Sequence, residues 1–480
     1  MTRHYAIDHI LLSQGWARGV VIWVSDDGFI TQIDLAPSSA LGELAVAAEH
    51  VAGIVVPGMA NAHSHAFQRA MAGHTEYRTS SRDSFWTWRQ TMYQLANRIE
   101  PADLQILATQ LFVEMLKAGY TSVAEFHYLH RATDGSNYIG TNPLWDAITA
   151  AATDSGIALT FLPTLYQTSD FGARRLKREQ ARFALQTDEF LRQVQDRFRA
   201  ERGQRPASLR TGAAFHSLRA VPLETLKEAV IALRQMEPTL PIHIHVAEQA
   251  REVQACKRAT GQRPIDLLLQ SGLVDQHWCL VHATHASPTE LAGIAAVQAT
   301  VCVSISTEAN LGDGSFDSSR FLQNGGRLCI GSDSQATVCP AEELRWLEYQ
   351  QRLRRKMRGV FANATQSHVG TRLWQDAAEQ GAAAIGQPAG VIAVGRRADW
   401  LVLDPTHPAM AGSGAQSALD HLLFAGGTAA IRDCMVAGRW VIKDRCHALE
   451  SALRPRFLDL MQQLTNPCYS VEQCRGVFAH

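Results

Sequence analysis

Pro57-Gly58-Met59-Ala60-Asn61-Ala62-His63-Ser64-His65 is the stretch that decides the fold. Side chains alternate faces along a strand, so His63 and His65 point the same way, about 7 Å apart. Two imidazoles leaving one strand end on one face can share a metal ion. An HxH pair also arises by chance, and its meaning rests on whether the rest of the chain supplies partners at matching places.

Outward from this stretch, short apolar runs recur, most of them followed by a helix-length segment. They are Gly53 to Pro57, Thr121 to Phe126, Ala158 to Leu165, Thr211 to Phe215, Pro241 to Val246, Cys279 to Val281, Ala299 to Ile305 and Leu328 to Ile330. Helical stretches such as Ala102 to Ala118 and Leu223 to Met236 lie between them. This alternation predicts an α/β protein, a (β/α)8 TIM-type barrel over residues 58–387. The flanks read differently. Gly19-Val20-Val21-Ile22-Trp23-Val24 before Asp26-Asp27-Gly28, and Ala398-Asp399-Trp400-Leu401-Val402-Leu403, are short strands with turns. Neither flank holds enough strands alone, so residues 1–57 and 388–445 are expected to build one small β-sandwich, followed by a helical tail over 446–480. The charged stretch Arg174 to Arg205 is expected to be a solvated helix plus loop.

The second cluster is Pro241-Ile242-His243-Ile244-His245-Val246-Ala247-Glu248. Sites in such barrels form at the C-terminal mouth. His245, nearer that end, is therefore the expected ligand, and His243 is expected to fill the layer below. Glu248 falls just past the strand, where a carboxylate can take and return protons without being a ligand. His282 and Asp333 likewise fall directly at strand ends. Each is weak alone, since Asp-Ser is a common turn and a lone histidine is often a core residue. Together they give HxH on strand one, HxxE on five, His on six and Asp on eight, an order that chance rarely supplies.

Composition is that of an ordinary soluble globular protein, with 46% hydrophobic and 19% charged residues. With 45 basic against 46 acidic residues, nothing points to nucleic acid or another polyanion. The nine cysteines include no CxxC pair, and are expected to be reduced thiols in a cytoplasmic protein. No signal-peptide core and no uncharged apolar run near 18 residues stands out, so no membrane partner is expected.

These features resemble the amidohydrolase superfamily over nearly the whole chain, with Gly395 and Ala398-Asp399 similar to its C-terminal β-sandwich signature. No bridging lysine is evident, which resembles the single-metal, deaminase-like subtype. Within it, His63-Ser64-His65-Ala66-Phe67-Gln68-Arg69-Ala70, Trp86-Thr87-Trp88-Arg89, Glu125-Phe126-His127-Tyr128-Leu129-His130 and His216-Ser217-Leu218-Arg219 resemble the formimidoylglutamate deiminases of histidine degradation. The resemblance implies one Zn2+ per chain held by His63, His65, His245 and Asp333. It implies catalytic roles for Glu248, His282 and Asp333, and substrate contacts from Gln68, Arg89, Tyr128, His216 and Arg219. A homodimer is a further expectation.

The implied substrate, N-formimidoyl-L-glutamate, has two carboxylates and a cationic amidine. Arginine grips carboxylates through a bidentate fork, so Arg89 and Arg219 can each take one. Arg89 can equally do no more than stack on Trp86 or Trp88. The expected reaction is hydrolytic deamination to N-formyl-L-glutamate and ammonia, with release of formamide instead left open. Two other readings stand beside it: a deaminase of a ring amidine such as guanine, cytosine or an adenosine derivative, and a metal-free, non-catalytic scaffold.

Overall fold

The computed structural model describes residues 2–35, 48–77, 83–140, 142–204 and 208–465. Cys468, Cys474 and the end of the expected helical tail lie outside the described residues; the tail's first part is the helix Glu450–Thr465.

Eight parallel strands form the barrel: β1 (Met59–Ser64), β2 (Tyr120–His127), β3 (Ala158–Leu165), β4 (Ala213–Ser217), β5 (Ile242–Val246), β6 (Trp278–His282), β7 (Thr300–Val303) and β8 (Arg327–Ile330). Each pairs with the next in chain order, and a short strand, Leu209–Thr211, pairs beside β3. The ring closes through a bridge between Ser64 and Asp333. There the Asp333 amide donates to the His63 carbonyl at 2.9 Å and the His65 amide to the Asp333 carbonyl at 3.2 Å. Most barrel strands are buried along their whole length. Helices cover parallel strands on the outside, so these strands read as unbroken apolar runs rather than alternating ones.

One strand assignment is corrected. Gly53–Pro57, read above as the first of the barrel runs, belongs to Glu49–Pro57 in the outer sheet, and the barrel begins only at Met59. The break falls at Gly58, whose amide donates to the Asp399 carbonyl while the Met59 amide donates to Gly119. A Cβ at Gly58 would sit 2.2 Å from Thr121 Cγ2, so only glycine lets the backbone cross here.

Both chain ends join in one seven-stranded mixed sheet, ordered Arg439–Ile442, Ile431–Val436, Trp400–Leu403, Glu49–Pro57, Arg3–Leu12, Gly15–Val24, Ile30–Leu35. Trp400–Leu403 runs antiparallel to Glu49–Pro57 and so stitches the two ends together. Tyr5, Ile10, Ile22, Val55, Trp400 and Met435 give this sheet an apolar core of its own. Asp399 has a specific task there: it pairs with the buried Arg397 and accepts the Ala437 amide at 2.8 Å. A buried carboxylate needs that many donors.

The helix Val369–Ala384 packs across β1 and β8. At its C-terminal end the Ala384 carbonyl accepts from His243 and the Ile385 carbonyl from Thr160, which seals the barrel end opposite the mouth. The charged stretch also departs from expectation. Arg182 is fully buried and donates to the carbonyls of Ala96, Ile99 and Arg131. A guanidinium has five donors, and the C-terminus of the helix Phe85–Ala96 leaves carbonyls in need of them. The helix Thr187–Gln204 is likewise anchored, with Phe190 and Val194 in the core and Arg197 4.2 Å over the Phe161 ring.

Candidate metal centre

Four strand ends converge at the mouth. His63 and His65 leave β1, His245 leaves β5, His282 ends β6, and Asp333 follows β8. His63 Nε2 lies 3.0 Å from His245 Nε2 and 3.2 Å from Asp333 Oδ1, and His65 Nε2 lies 3.4 Å from the same carboxylate oxygen. Donor atoms of His63, His245, His282 and Asp333 all fall within 4.8 Å of one another. His282 thus joins this closest group, and His65 completes it from the side.

The imidazoles suit a cation. His65 Nδ1 bonds the Phe126 carbonyl and His245 Nδ1 the His216 carbonyl, each at 2.8 Å. A carbonyl only accepts, so the proton of each ring sits on Nδ1 and the lone pair on Nε2 faces the cluster. The lone pairs of His65 and His245 thus turn towards the Asp333 carboxylate, with His63 Nε2 3.0 Å from His245 Nε2, and a positive charge among them would be held by all four groups. Burial also keeps these rings neutral: His65 is pushed down to about 3, and His63 and His245 are lowered too. Neutral imidazole and ionised carboxylate are the forms that bind metal. Burial alone would raise the Asp333 carboxyl, but its hydrogen bond to His63 and the charges of His63, His282 and His65 hold it well below the usual range.

Backbone strain helps to aim these groups. Ala247, His282, Ala283 and Asp333 all adopt left-handed φ, between 46° and 70° taking Asp333 and His282 as extremes, although none is glycine. Such conformations cost of order 1–3 kcal/mol each and persist where the surroundings enforce them. Glu252 enforces one of them, accepting the amides of Ala247 and Glu248 at 3.2 and 3.1 Å. Glu125 performs the same service for β1 by accepting from Ser64 Oγ and the Ala66 amide.

Around the cluster stand groups that move protons. Glu248 Oε1 and Asp333 Oδ2 are each 3.9 Å from His282 Nε2, and Glu308 Oε1 is 3.5 Å from His282 Nδ1. Burial pushes Glu248 up to about 7, with His282 pulling the other way. Burial opposes a charge on His282, yet Glu248, Glu308 and Asp333 push it up to about 10.

The centre opens into a cavity at the barrel mouth. Gln68, Arg89, Tyr128, His216 and Arg219 all line it, together with His65, His245, Glu248, His282 and Asp333, while His63 lies beneath. Gln68 donates to the Tyr128 hydroxyl at 2.7 Å and leaves its Oε1 buried without a partner. Arg89 Nε and Arg219 Nε are also buried without partners. The stacking alternative for Arg89 is therefore real but not exclusive: its guanidinium sits 4.4 Å over the Trp86 ring and still faces the cavity.

Several residues here escaped the sequence. Glu308 lies on the helix after β7, the one late strand without a ligand at its end. Tyr93 and Tyr166 line the wall, tied together by Gln180, which donates to both hydroxyls. Their only sequence signal is that they fall near strand ends or in the segment before the first long helix.

Residues 54–441 match the model of the amidohydrolase family. The chain belongs to the amidohydrolase family. Among curated proteins, this amidohydrolase is 46% identical over 457 residues to a formimidoylglutamate deiminase of Pseudomonas aeruginosa, covering 95% of the chain and 98% of that protein. It is 26% identical over 404 residues to a 5-methylthioadenosine/S-adenosylhomocysteine deaminase of Bacillus cereus, covering 82% and 83%. Among solved structures, an amidohydrolase from Brucella melitensis superposes with a TM-score of 0.87 at 37% identity, over 96% of this chain and 99% of that one. An adenosine deaminase from Xanthomonas campestris with bound zinc shares the fold, with a TM-score of 0.78 at 19% identity over 96% and 98%.

Proposed function

We propose that this amidohydrolase is a formimidoylglutamate deiminase that hydrolyses N-formimidoyl-L-glutamate to N-formyl-L-glutamate and ammonia in histidine degradation. The observation that carries the substrate choice is the pair of cavity-facing guanidiniums, Arg89 and Arg219, each with an unpartnered Nε. Two buried donors of one charge in one cavity match a ligand with two carboxylates. Gln68 Oε1, an acceptor without a partner, matches the N–H groups of an amidine. The 46% identity to a formimidoylglutamate deiminase supports the same substrate.

We assign the metal to His63, His65, His245 and Asp333 and propose Zn2+, which favours nitrogen and carboxylate donors with one position left open. When bound there, such an ion would supply an acidified water, with a pKa towards ~7. The chain's own groups do the rest. Arg89 and Arg219 hold the carboxylates, and Gln68, Tyr128 and His216 turn the amidine carbon towards the centre. Asp333, ionised, takes a proton from the attacking water. Glu248, whose carboxyl titrates near neutrality, carries a proton to the departing nitrogen so that it leaves as ammonia. His282, charged by its three carboxylate neighbours, stabilises the oxygen that becomes the formyl group.

A ring amidine is the second reading, favoured by the aromatic wall of Phe85, Trp88, Tyr93, Tyr166 and Phe183. Purified protein offered formimidoylglutamate, guanine, cytosine and adenosine side by side decides between them. Rapid ammonia release from the first alone supports the proposal, and turnover of a ring substrate alone overturns it. Formamide with glutamate as products would change the leaving group. No helix among the described residues is long and apolar enough to cross a membrane. We propose a cytoplasmic homodimer; Trp346, Tyr349 and Leu353 are exposed along one helix and offer an apolar face to a second copy, which a solution mass of one chain would refute.

A further inference from the structure

Beneath the metal centre lies a second set of donors that the proposed reaction does not use. Cys279, Cys302 and Cys329 stand on the consecutive strands β6, β7 and β8, with Cys302 directly opposite Cys329. Their sulfurs all lie within 4.8 Å of one another, and none is disulfide-bonded. All three side chains are fully buried. On β5, His243 is the register partner of Cys279, and its ring lies against that thiol. Its Nε2 lies 3.0 Å from the Ala384 carbonyl, which only accepts, so Nε2 carries the proton and Nδ1 the lone pair. That Nδ1 is buried, and among the described residues the thiol of Cys279 is the one group beside it. Thiols alone would pass as small apolar side chains in a core. An imidazole nitrogen is different, since a thiol is only a weak donor to it.

A ring that gives its N–H to a main-chain carbonyl and turns its other nitrogen to a thiol is the arrangement that prepares histidine for a metal shared with that sulfur. In a tetrahedral site with Zn–S near 2.3 Å, sulfurs stand about 3.8 Å apart, so closing the three sulfurs on an ion asks for a movement of about 1 Å at most, with the His243 ring turning in from beside Cys279. His243 is two residues before His245, which places the group about 7 Å below the first centre.

We propose that Cys279, Cys302, Cys329 and His243 form a second, structural site for one thiophilic divalent cation of the zinc class. Three thiolates and one imidazole are the donor set of closed structural sites, and this one is buried away from the cavity, so it binds without catalysing. On loading, each thiol gives up its proton to solvent and no electrons move. The ion ties β5, β6, β7 and β8 together at the closed end of the barrel.

The test uses full-length protein from cells grown with cobalt in place of zinc. Two cobalt ions per chain are expected, with an intense near-ultraviolet thiolate-to-cobalt charge-transfer band that a site of histidines and a carboxylate cannot give. Asp333→Ala should lower the cobalt count from two to one and keep the band. Cys302→Ser should also go from two to one, but lose the band. If Cys302→Ser does not fold, the band and the second equivalent in the unaltered protein still decide. One ion per chain without the band, or two ions without it, overturns the proposal.

Discussion

The two walls of the cavity solve opposite problems. On the metal side, His63 Nε2 lies 3.0 Å from His245 Nε2 and 3.2 Å from Asp333, His65 Nε2 lies 3.4 Å from the same carboxylate, and main-chain carbonyls hold the outward nitrogens of His65 and His245. On the anion side, Arg89, Arg219 and Gln68 each present a buried polar atom that meets nothing. Crowding of metal-binding groups, and isolation of polar atoms that lack partners, are both unfavourable in a dry pocket. Each is relieved by a different ligand. The walls should therefore fail differently when altered: the first through metal content and turnover, the second through substrate affinity.

The largest effect should come from Asp333→Ala, with activity near background and bound metal reduced together, as read by metal analysis beside a rate assay. Full metal and full rate in this variant would remove Asp333 from the centre. Next comes Glu248→Gln, for which turnover should fall about 10^3-fold while metal content is unchanged. Loss of metal in step with rate would make Glu248 a ligand instead. On the anion wall, Arg219→Met should raise KM by roughly 100-fold and Arg89→Met by roughly 10-fold, because a charge-assisted bond contributes about 1.5–3 kcal/mol and more where burial is deeper. Arg219 is 7% exposed, whereas Arg89 is only partly covered. Glutarate, which has both carboxylates and no amidine, should compete with substrate and lose affinity in both arginine variants. Equal inhibition of wild type and variants would detach the arginines from the carboxylates. The smallest effect is expected for Glu308→Gln, about a few-fold in kcat with KM and metal content unchanged, since this residue acts through His282.

The two walls also differ in how far the sequence revealed them. Metal-side residues sit at strand ends, where a period of two and a barrel's polarity leave little freedom, so His63, His245 and Asp333 could be put at the barrel mouth by their place on the strands, while the ligand set came from the family resemblance. The same logic misassigned Gly53–Pro57, because a strand of the outer sheet and the first barrel strand follow one another with only Gly58 between them. Anion-side residues lie on helices and loops whose direction no periodicity fixes. Arg89 and Arg219 were found through a family resemblance, and Tyr93, Tyr166 and Glu308 were not found. Arg182 failed for a related reason: a charged residue in a charged run reads as solvated unless the carbonyls awaiting it are known.

The ring of strands closes on its own ligands. The hydrogen bonds that join β8 to β1 run from the Asp333 amide to the His63 carbonyl, and from the His65 amide to the Asp333 carbonyl. A nascent chain leaving the ribosome therefore holds its first barrel strand without a neighbour on one side until residue 333 has emerged. An ion captured by His63 and Asp333 would act as a clasp on that seam, so cells starved of metal should accumulate protein that proteases nick near β1 and β8 before any other strand.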